Sequence, residues 1–499
     1  MQPVFEAAAT LFSPEYLILL LLGAVGGLII GALPGLGGGM AIALLLPLTF
    51  SMEPGMAVVL LITAYGANDL GGSIPAILVN TPGSAENAST TIDGFPMAQQ
   101  GKAGEAIGAS MLASALGTVG GFIILLLLIP VSRQVILAFS YPEFFMMALF
   151  GLTVIATVTQ GNRTRGFLAA GVGIMLALVG RDPVFGNERF TFDTLYLGDG
   201  LKTIPVVIGV MALGEAIKTF AKGETIAQGG HRYTGKIVGI VDGYKAAIRH
   251  WSIVLRSSVI GVVVGAIPGI GGQVAGFMAY GQAVKTSKHP ERFGKGAVEG
   301  IIAGEAAHNA KEGGALLPTL AFGIPGSSAM AVLIGALILH GIAPGPEMIT
   351  TNIDIVWILI LGWAFGGVVT AVSGSVLGKF LVPITRIPSY YIAPSVILLA
   401  LIGVYAVDKS IYDVIVCIVM GIVGFEMKKF GFSRVALIIG FILGALVETT
   451  YHQTMNSMGI TAFMTRPISL GLLIMTLLMF VYPVWKKRRE ANANRDISA

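Results

Sequence analysis

The sequence predicts an all-α polytopic membrane protein, built from two inverted-topology repeats with broken helices and re-entrant hairpins. Three observations carry this. Of 499 residues, 55% are hydrophobic and 12% charged, against roughly 25% charge in a soluble domain. One glycine-rich, proline-broken stretch occurs twice, at Gly31 to Met40 (Gly-Ala-Leu-Pro-Gly-Leu-Gly-Gly-Gly-Met) and at Gly265 to Gly272 (Gly-Ala-Ile-Pro-Gly-Ile-Gly-Gly). Loop charge then assigns matching loops of the two copies to opposite faces. Proline removes a backbone donor and glycine lets the chain leave the helix. In lipid such a break persists only where the freed groups find protein, water or a ligand.

The first candidate span is Glu15 to Leu33, with Gly23, Gly27, Gly31, Gly35 and Gly39 recurring every fourth residue. At helical pitch that spacing makes a smooth ridge on which another backbone can lie. Ser257, Gly261, Gly265 and Gly269 repeat it. Met40 to Phe50 is apolar but shorter than the roughly 20 residues a span needs. After Glu53-Pro54-Gly55 an apolar run reaches the polar stretch Tyr65 to Gly72, an expected break, and then Asn80-Thr81-Pro82-Gly83-Ser84. Thr91 to Lys102 reads as a polar loop. Spans follow at Glu105–Ile129, Pro142–Gln160, Thr164–Gly180 and Thr203–Phe220.

Residues 1–221 form the first half, 222–250 a cytoplasmic linker, 251–485 the second half and 486–499 a basic cytoplasmic tail. In the second half, Gly304 to Gly314 is again polar between apolar flanks, and Gly323-Ile324-Pro325-Gly326-Ser327-Ser328 answers the motif at 80–84. Pro34 and Pro268 are 234 positions apart, Pro82 and Pro325 243, so the second copy carries an insertion, placed near Lys285 to Lys295. The later spans are near 353–381, 389–407, 411–426, 435–447 and 468–484.

Basic loops stay cytoplasmic. Lys486 to Arg489, Lys428, Lys429, Arg434 and Arg386 are therefore inside, and Ala343 to Asn352, which lacks Lys and Arg, is outside. Its counterpart, Asp93 to Lys102, falls inside with Arg163 and Arg165; Glu53 falls outside and Lys285 to Lys295 inside. Inverted repeats with paired interrupted helices point to a secondary transporter with its site near the midplane. The net charge of +4 follows from these loops and the tail, so no nucleic-acid partner is inferred. Cys417 lies alone in an apolar run, which excludes an internal disulfide. The amino terminus lacks a basic n-region and a small-residue cleavage site, so no cleaved signal peptide is expected.

The stretch at 31–39, Asn80 to Ser84 followed by Asp93-Gly94-Phe95-Pro96-Met97, and Gly323 to Ser327 followed by His340-Gly341-Ile342-Ala343-Pro344-Gly345-Pro346 together resemble the large membrane subunit of the tripartite tricarboxylate transporters, the TctA type. The resemblance covers nearly the whole chain. It implies a cation-coupled importer of carboxylates such as citrate in a bacterial inner membrane. It implies two partners, a small membrane subunit (TctB type) and a periplasmic substrate-binding protein (TctC type). A homodimer of the large subunit is a further expectation.

A carboxylate in a membrane cavity needs donors, and helix amino termini supply N–H groups and a positive dipole end. Asn80, Thr81, Pro82, Gly83 and Ser84, with Pro325, Gly326, Ser327 and Ser328, are the candidate substrate contacts; their competing reading is ordinary helix capping. Unwound carbonyls bind sodium, which assigns cation coupling to Pro34, Gly35, Gly37 and Gly38 and to Pro268, Gly269, Gly271 and Gly272, with side-chain oxygens from Asn68, Asp69 and Asn309. The competing reading is close backbone packing without an ion. Asp69 and Lys311 read as near-equivalents, each two residues before a glycine; Lys311 would serve the substrate anion, or pair with Asp69. Charge inside a membrane is costly and usually functional.

No cofactor is expected beyond sodium as coupling ion. Glu305 and His308 have i, i+3 spacing but lack further metal ligands nearby. Gly94 to Lys102 has the wrong spacing for a phosphate loop, and Ala103 stands where Ser or Thr is required. The chain therefore reads as a non-enzyme. The alternatives are an intramembrane hydrolase using Asp69, Glu305 or His308, and a carrier that works without a binding protein.

Overall fold

The computed structural model describes residues 2–33, 36–158, 163–182, 184–222, 237–267, 271–381 and 389–479. These are almost wholly helical. In chain order they give α1 (Gln2–Leu11), α2 (Pro14–Gly31), α3 (Gly38–Leu45), α4 (Pro54–Val79), α5 (Ala88–Gln99), α6 (Ala103–Leu137), α7 (Tyr141–Val158), α8 (Arg163–Ala177), α9 (Leu195–Gly198), α10 (Thr203–Ile208) and α11 (Gly214–Lys222). Then come α12 (Ile240–Arg249), α13 (Trp251–Gly265), α14 (Gly271–Thr286), α15 (Val298–Phe322), α16 (Ser328–Leu339), α17 (Pro346–Thr350), α18 (Ile353–Leu381), α19 (Ser389–Asp408), α20 (Ile411–Lys429), α21 (Arg434–Ser457) and α22 (Ala462–Thr465). One antiparallel pairing of two short strands joins Gly180–Arg181 to Glu188–Arg189. Five of the described helices are long and apolar enough to cross a membrane, six if α12 and α13, bent by 76°, count as one span.

The chain packs as two compact units, 1–133 with 202–426, and 134–201 with 427–499. The candidate residues all lie in the first. There the glycine ridge of α2 lies on α4: a Cβ at Gly27 would fall 2.2 Å from the Ala64 carbonyl oxygen, and one at Gly31 2.0 Å from that of Asn68. The ridge of α13 lies on α15 in the same way, Gly261 against Ala307 and Gly265 against Lys311, at 2.2 and 2.0 Å. Only glycine permits so close an approach of two backbones.

This packing fixes the register between the copies and corrects one expectation. Gly31 meets Asn68 as Gly265 meets Lys311, so Asn68 and Lys311 are the equivalents. Asp69 is matched by Glu312 at the same offset of 243 residues, not by Lys311. The helix ends agree: α4 carries Pro75 inside and closes on Asn80 at φ 56°, while α15 carries Pro318 and closes on Gly323 at φ 67°. Thr81 N–H donates to the Pro75 carbonyl and Ile324 N–H to that of Pro318.

The chain leaves the helix at both glycine-rich stretches as read, between α2 and α3 and between α13 and α14. The break expected at Tyr65 to Gly72 is absent. α4 runs unbroken through it, and α15 through Gly304 to Gly314. Glycine without proline keeps its N–H, so the helical ladder survives, and Gly71 and Gly72 serve contact instead: a Cβ there would strike the Leu28 carbonyl and the Asn87 amide. The loop expected at Thr91 to Lys102 is mostly α5, a half-buried helix started from Ser84. Of the linker 222–250, residues 223–236 lie outside the described residues; α12 packs through Gly243 on the Glu105 carbonyl. The tail 486–499 also lies outside them. The second copy has a longer α14 and a longer following loop, which is the insertion inferred from the offsets.

Candidate functional site

The first break meets the starts of both serine-capped helices, and the second break meets the first of those starts. Gly37 adjoins Ser84, whose Cβ lies 3.9 Å from where a Gly37 Cβ would stand, and Gly39 adjoins Ala329 at the start of α16. On the other side, Gly272 at the start of α14 lies against the Glu86 carboxylate, 2.7 Å from where its Cβ would be. Asn68 Nδ2 donates to the Leu36 carbonyl inside the first break at 2.9 Å. The Tyr65 ring closes over Gly38. Pro34, Gly35, Pro268 and Gly269 lie outside the described residues.

Between the breaks sits an acidic group. Ligand oxygens of Asp69, Glu86 and Glu312 all fall within 4.8 Å of one another. Lys311 is buried among them, with Nζ 3.2 Å from Glu86 Oε1 and in contact with Glu312. Two carboxylates thus share one ammonium, with the Asp69 carboxylate beside them. Asp69 Oδ2, Asn68 Oδ1 and Glu86 Oε2 are buried without a hydrogen-bond partner among the described residues. Unsatisfied acceptors and crowded anions are both costly in a low dielectric, and oxygen ligands of this type suit a hard cation or protons.

The two serines start helices. Ser84 Oγ accepts from Glu86 N–H at 3.3 Å and donates to Asn87 Oδ1 at 2.9 Å. Ser327 Oγ accepts from Met330 N–H at 3.2 Å. The capping role is therefore occupied in both. Asn80 is exposed and in the left-handed region; Thr81 Oγ1 turns back to the Val79 carbonyl; Gly83 N–H donates to the Gly72 carbonyl. Gly83 packs on Gly72 and Gly326 on Ala315, where a Cβ would be 2.3 and 2.7 Å from the neighbour. Pro325 is buried beside it and Ser328 is half-buried.

Asn309 does not reach the acidic group: Nδ2 donates to its own helix at the Glu305 carbonyl and lies 2.9 Å from His308 Nε2. Gly271, at φ 78°, has open space where a side chain would be. Lys311 is engaged by carboxylates of the chain itself. Glu86 was not singled out in the sequence, because its partners are far away in the chain and nothing in its local pattern marks it. Glu305 is held by three hydroxyl donors, Ser73 at 2.6 Å, Thr90 at 2.5 Å and Ser114 at 2.8 Å, with His308 Nε2 at 3.6 Å. Asn87 Nδ2 links this network to the cluster, donating to Ser73 Oγ and to the Asp69 carbonyl.

A family profile described as "Tripartite tricarboxylate transporter TctA family" matches residues 17–439. Among curated proteins, the chain is similar to the "Uncharacterized 52.8 kDa protein in TAR-I ttuC' 3'region" of Agrobacterium vitis, at 32% identity over 94% of this chain and 92% of that protein. It is also similar to the "Uncharacterized protein in TAR-II ttuC' 3'region" of the same organism, at 33% identity over 46% of this chain and 97% of that one. No solved structure matches. With the profile spanning most of its length, the chain belongs to the tripartite tricarboxylate transporter TctA family.

Proposed function

We propose that the chain is the membrane permease subunit of a binding-protein-dependent secondary carrier that imports tricarboxylates or related organic carboxylates such as citrate, driven by a sodium or proton gradient. Family membership implies a tripartite system with TctB and TctC partners. The observation that carries the reading is the meeting of two helix breaks and two serine-started helices around buried carboxylates. The anion is held at the starts of α5 and α16, by Ser84, Ser327, Ser328 and the N–H groups of the first turns, with the motif residues 80–83, 325 and 326 shaping the approach. The cation is held by Asp69, Glu86 and Glu312, with Asn68 and the carbonyls of the first break beside them.

Inversion of the two copies is supported by which loops lie together. Gln100 donates to the Lys295 carbonyl, and Thr49 lies 2.9 Å from His340 Nε2. α4 starts near the second pair and α15 near the first, so the equivalent helices run in opposite senses. Movement of the breaks against plain spans would then expose the site alternately, and an elevator motion is the analogy drawn. The bacterial inner membrane is the setting that a periplasmic partner requires. Against an intramembrane hydrolase using Asp69, Glu305 or His308, the Glu305 carboxylate is engaged by three hydroxyls.

The test is uptake of labelled citrate into vesicles that hold all three components, with and without a sodium gradient, for wild type, Ser84→Ala and Ser327→Ala. Gradient-dependent uptake with a raised half-saturation concentration in both variants supports the reading. Unchanged half-saturation in both removes the anion site, and carboxylate-independent behaviour under sodium and proton gradients alike removes the carrier.

A further inference from the structure

We propose that Lys311 is a tethered cation that occupies the coupling-ion site until the ion displaces it, and that its release supplies positive charge to the substrate anion. The inference deepens the function proposed above and rests on it. It starts from an asymmetry between the copies. The register that pairs Asn68 with Lys311 pairs a neutral amide with an ammonium, while the next position is acidic in both, Asp69 and Glu312. Asn68 is tied to the first break through Leu36. Lys311, on a flexible four-carbon stem, reaches instead across to Glu86 of the other copy and to Glu312.

Its ammonium therefore stands where a free monovalent cation would find ligands. The site is not saturated by it. Asp69 Oδ2 and Glu86 Oε2 are buried and without a hydrogen-bond partner among the described residues, as is Asn68 Oδ1 in the neighbouring position. An ion entering there gains oxygen ligands that lysine does not use, and its charge weakens the hold of the same carboxylates on the ammonium. A lysine that loses two carboxylates in a buried setting must find another anion. Glu86 lies two residues past Ser84, at the helix start assigned to the substrate, so a bound carboxylate is the anion within reach. Ion binding thereby prepares substrate binding, and by linkage substrate tightens the ion. Other charged groups facing the cluster are those already named; Glu305 is occupied by its hydroxyls.

The experiment measures binding of radiolabelled sodium to the purified chain in lipid nanodiscs, for wild type, Lys311→Met and Lys311→Arg, with and without citrate. Removing the internal competitor in Lys311→Met tightens sodium binding by about 5- to 150-fold, the usual range of coupling between two ligands, and abolishes the effect of citrate on it. Lys311→Arg keeps the charge and, with a fork that grips two carboxylates at once, weakens sodium binding. Sodium binding that is unchanged or weaker in Lys311→Met overturns the proposal, as does unchanged sodium binding in Lys311→Arg should the methionine variant not fold. The sodium readout needs no transport, so failure of the switch is separable from failure of the carrier, which the uptake measurement above reports.

Discussion

At the scale of single residues, the core depends on positions that leave no room for a side chain. Gly31 and Gly265 stand where another backbone carbonyl lies 2.0 Å from a would-be Cβ. Gly31→Ala and Gly265→Ala are each expected to cost about 1–3 kcal/mol through forced separation of the helices, read as a lower thermal midpoint of the purified protein. Gly281→Ala, in open space within α14, should instead be neutral or stabilise by up to about 1 kcal/mol. Glu305 is the second case. Its carboxylate accepts from three hydroxyls on α4, α5 and α6, and the amide of Glu305→Gln offers one acceptor oxygen in place of two. A loss of about 1–3 kcal/mol follows, again read by thermal unfolding. On the carrier reading proposed above, uptake at a permissive temperature should persist, because the residue holds helices together and lies apart from the proposed anion contacts.

At the scale of elements, the segment between α8 and α10 illustrates order without a hydrophobic core. Asp182 Oδ1 accepts from the N–H groups of Val184 at 2.7 Å and Phe185 at 3.1 Å. Those bonds, with the Arg189 guanidinium nearby, hold its carboxyl below the usual carboxylate range. Arg189 in turn makes a two-pronged pair with Glu448, at 2.5 and 3.0 Å. A depressed carboxyl contributes order that is fully present above its unfolded value, about 3.9, and that fades as pH falls through the lowered one. Protection of the 184 and 185 amides relative to their free-chain exchange should thus hold at neutral and mildly acidic pH and fall only below the ordinary carboxylate range. Asp182→Asn should lower the protection of both amides and remove that pH step. Ser84 and Ser327 belong to this scale too, since each decides where a helix begins, and where a helix begins decides where its N–H groups point.

At the scale of the whole molecule, the repeat makes a prediction about faces. Cys417 is buried, so single cysteines placed at exposed positions can be mapped with little background labelling. A cysteine at Gln99 and one at Thr351, exposed residues in the segments 93–102 and 343–352, should react with an impermeant thiol reagent from opposite sides of sealed vesicles. Labelling of both from one side would remove the inverted arrangement and the alternating-access reading with it. Each of the two compact units is assembled from an early and a late part of the chain.

The helical membrane class, the two helix breaks and the correspondence of the motifs at 80–84 and 323–328 are legible along the chain. Those features are written in local chemistry: apolar runs long enough to span, proline that cannot donate, glycine ridges at helical spacing and serine before a helix. Tertiary structure alone decided that α4 and α15 run unbroken through their polar glycines, that α5 is a helix, that Lys311 matches Asn68, and that Glu86 joins Asp69 and Glu312. These depend on which backbone lies against which, and on groups more than 200 positions apart, such as Glu86 and Lys311, sharing one buried space. Charge and packing in such a space act through distance in three dimensions, which no window along the chain contains.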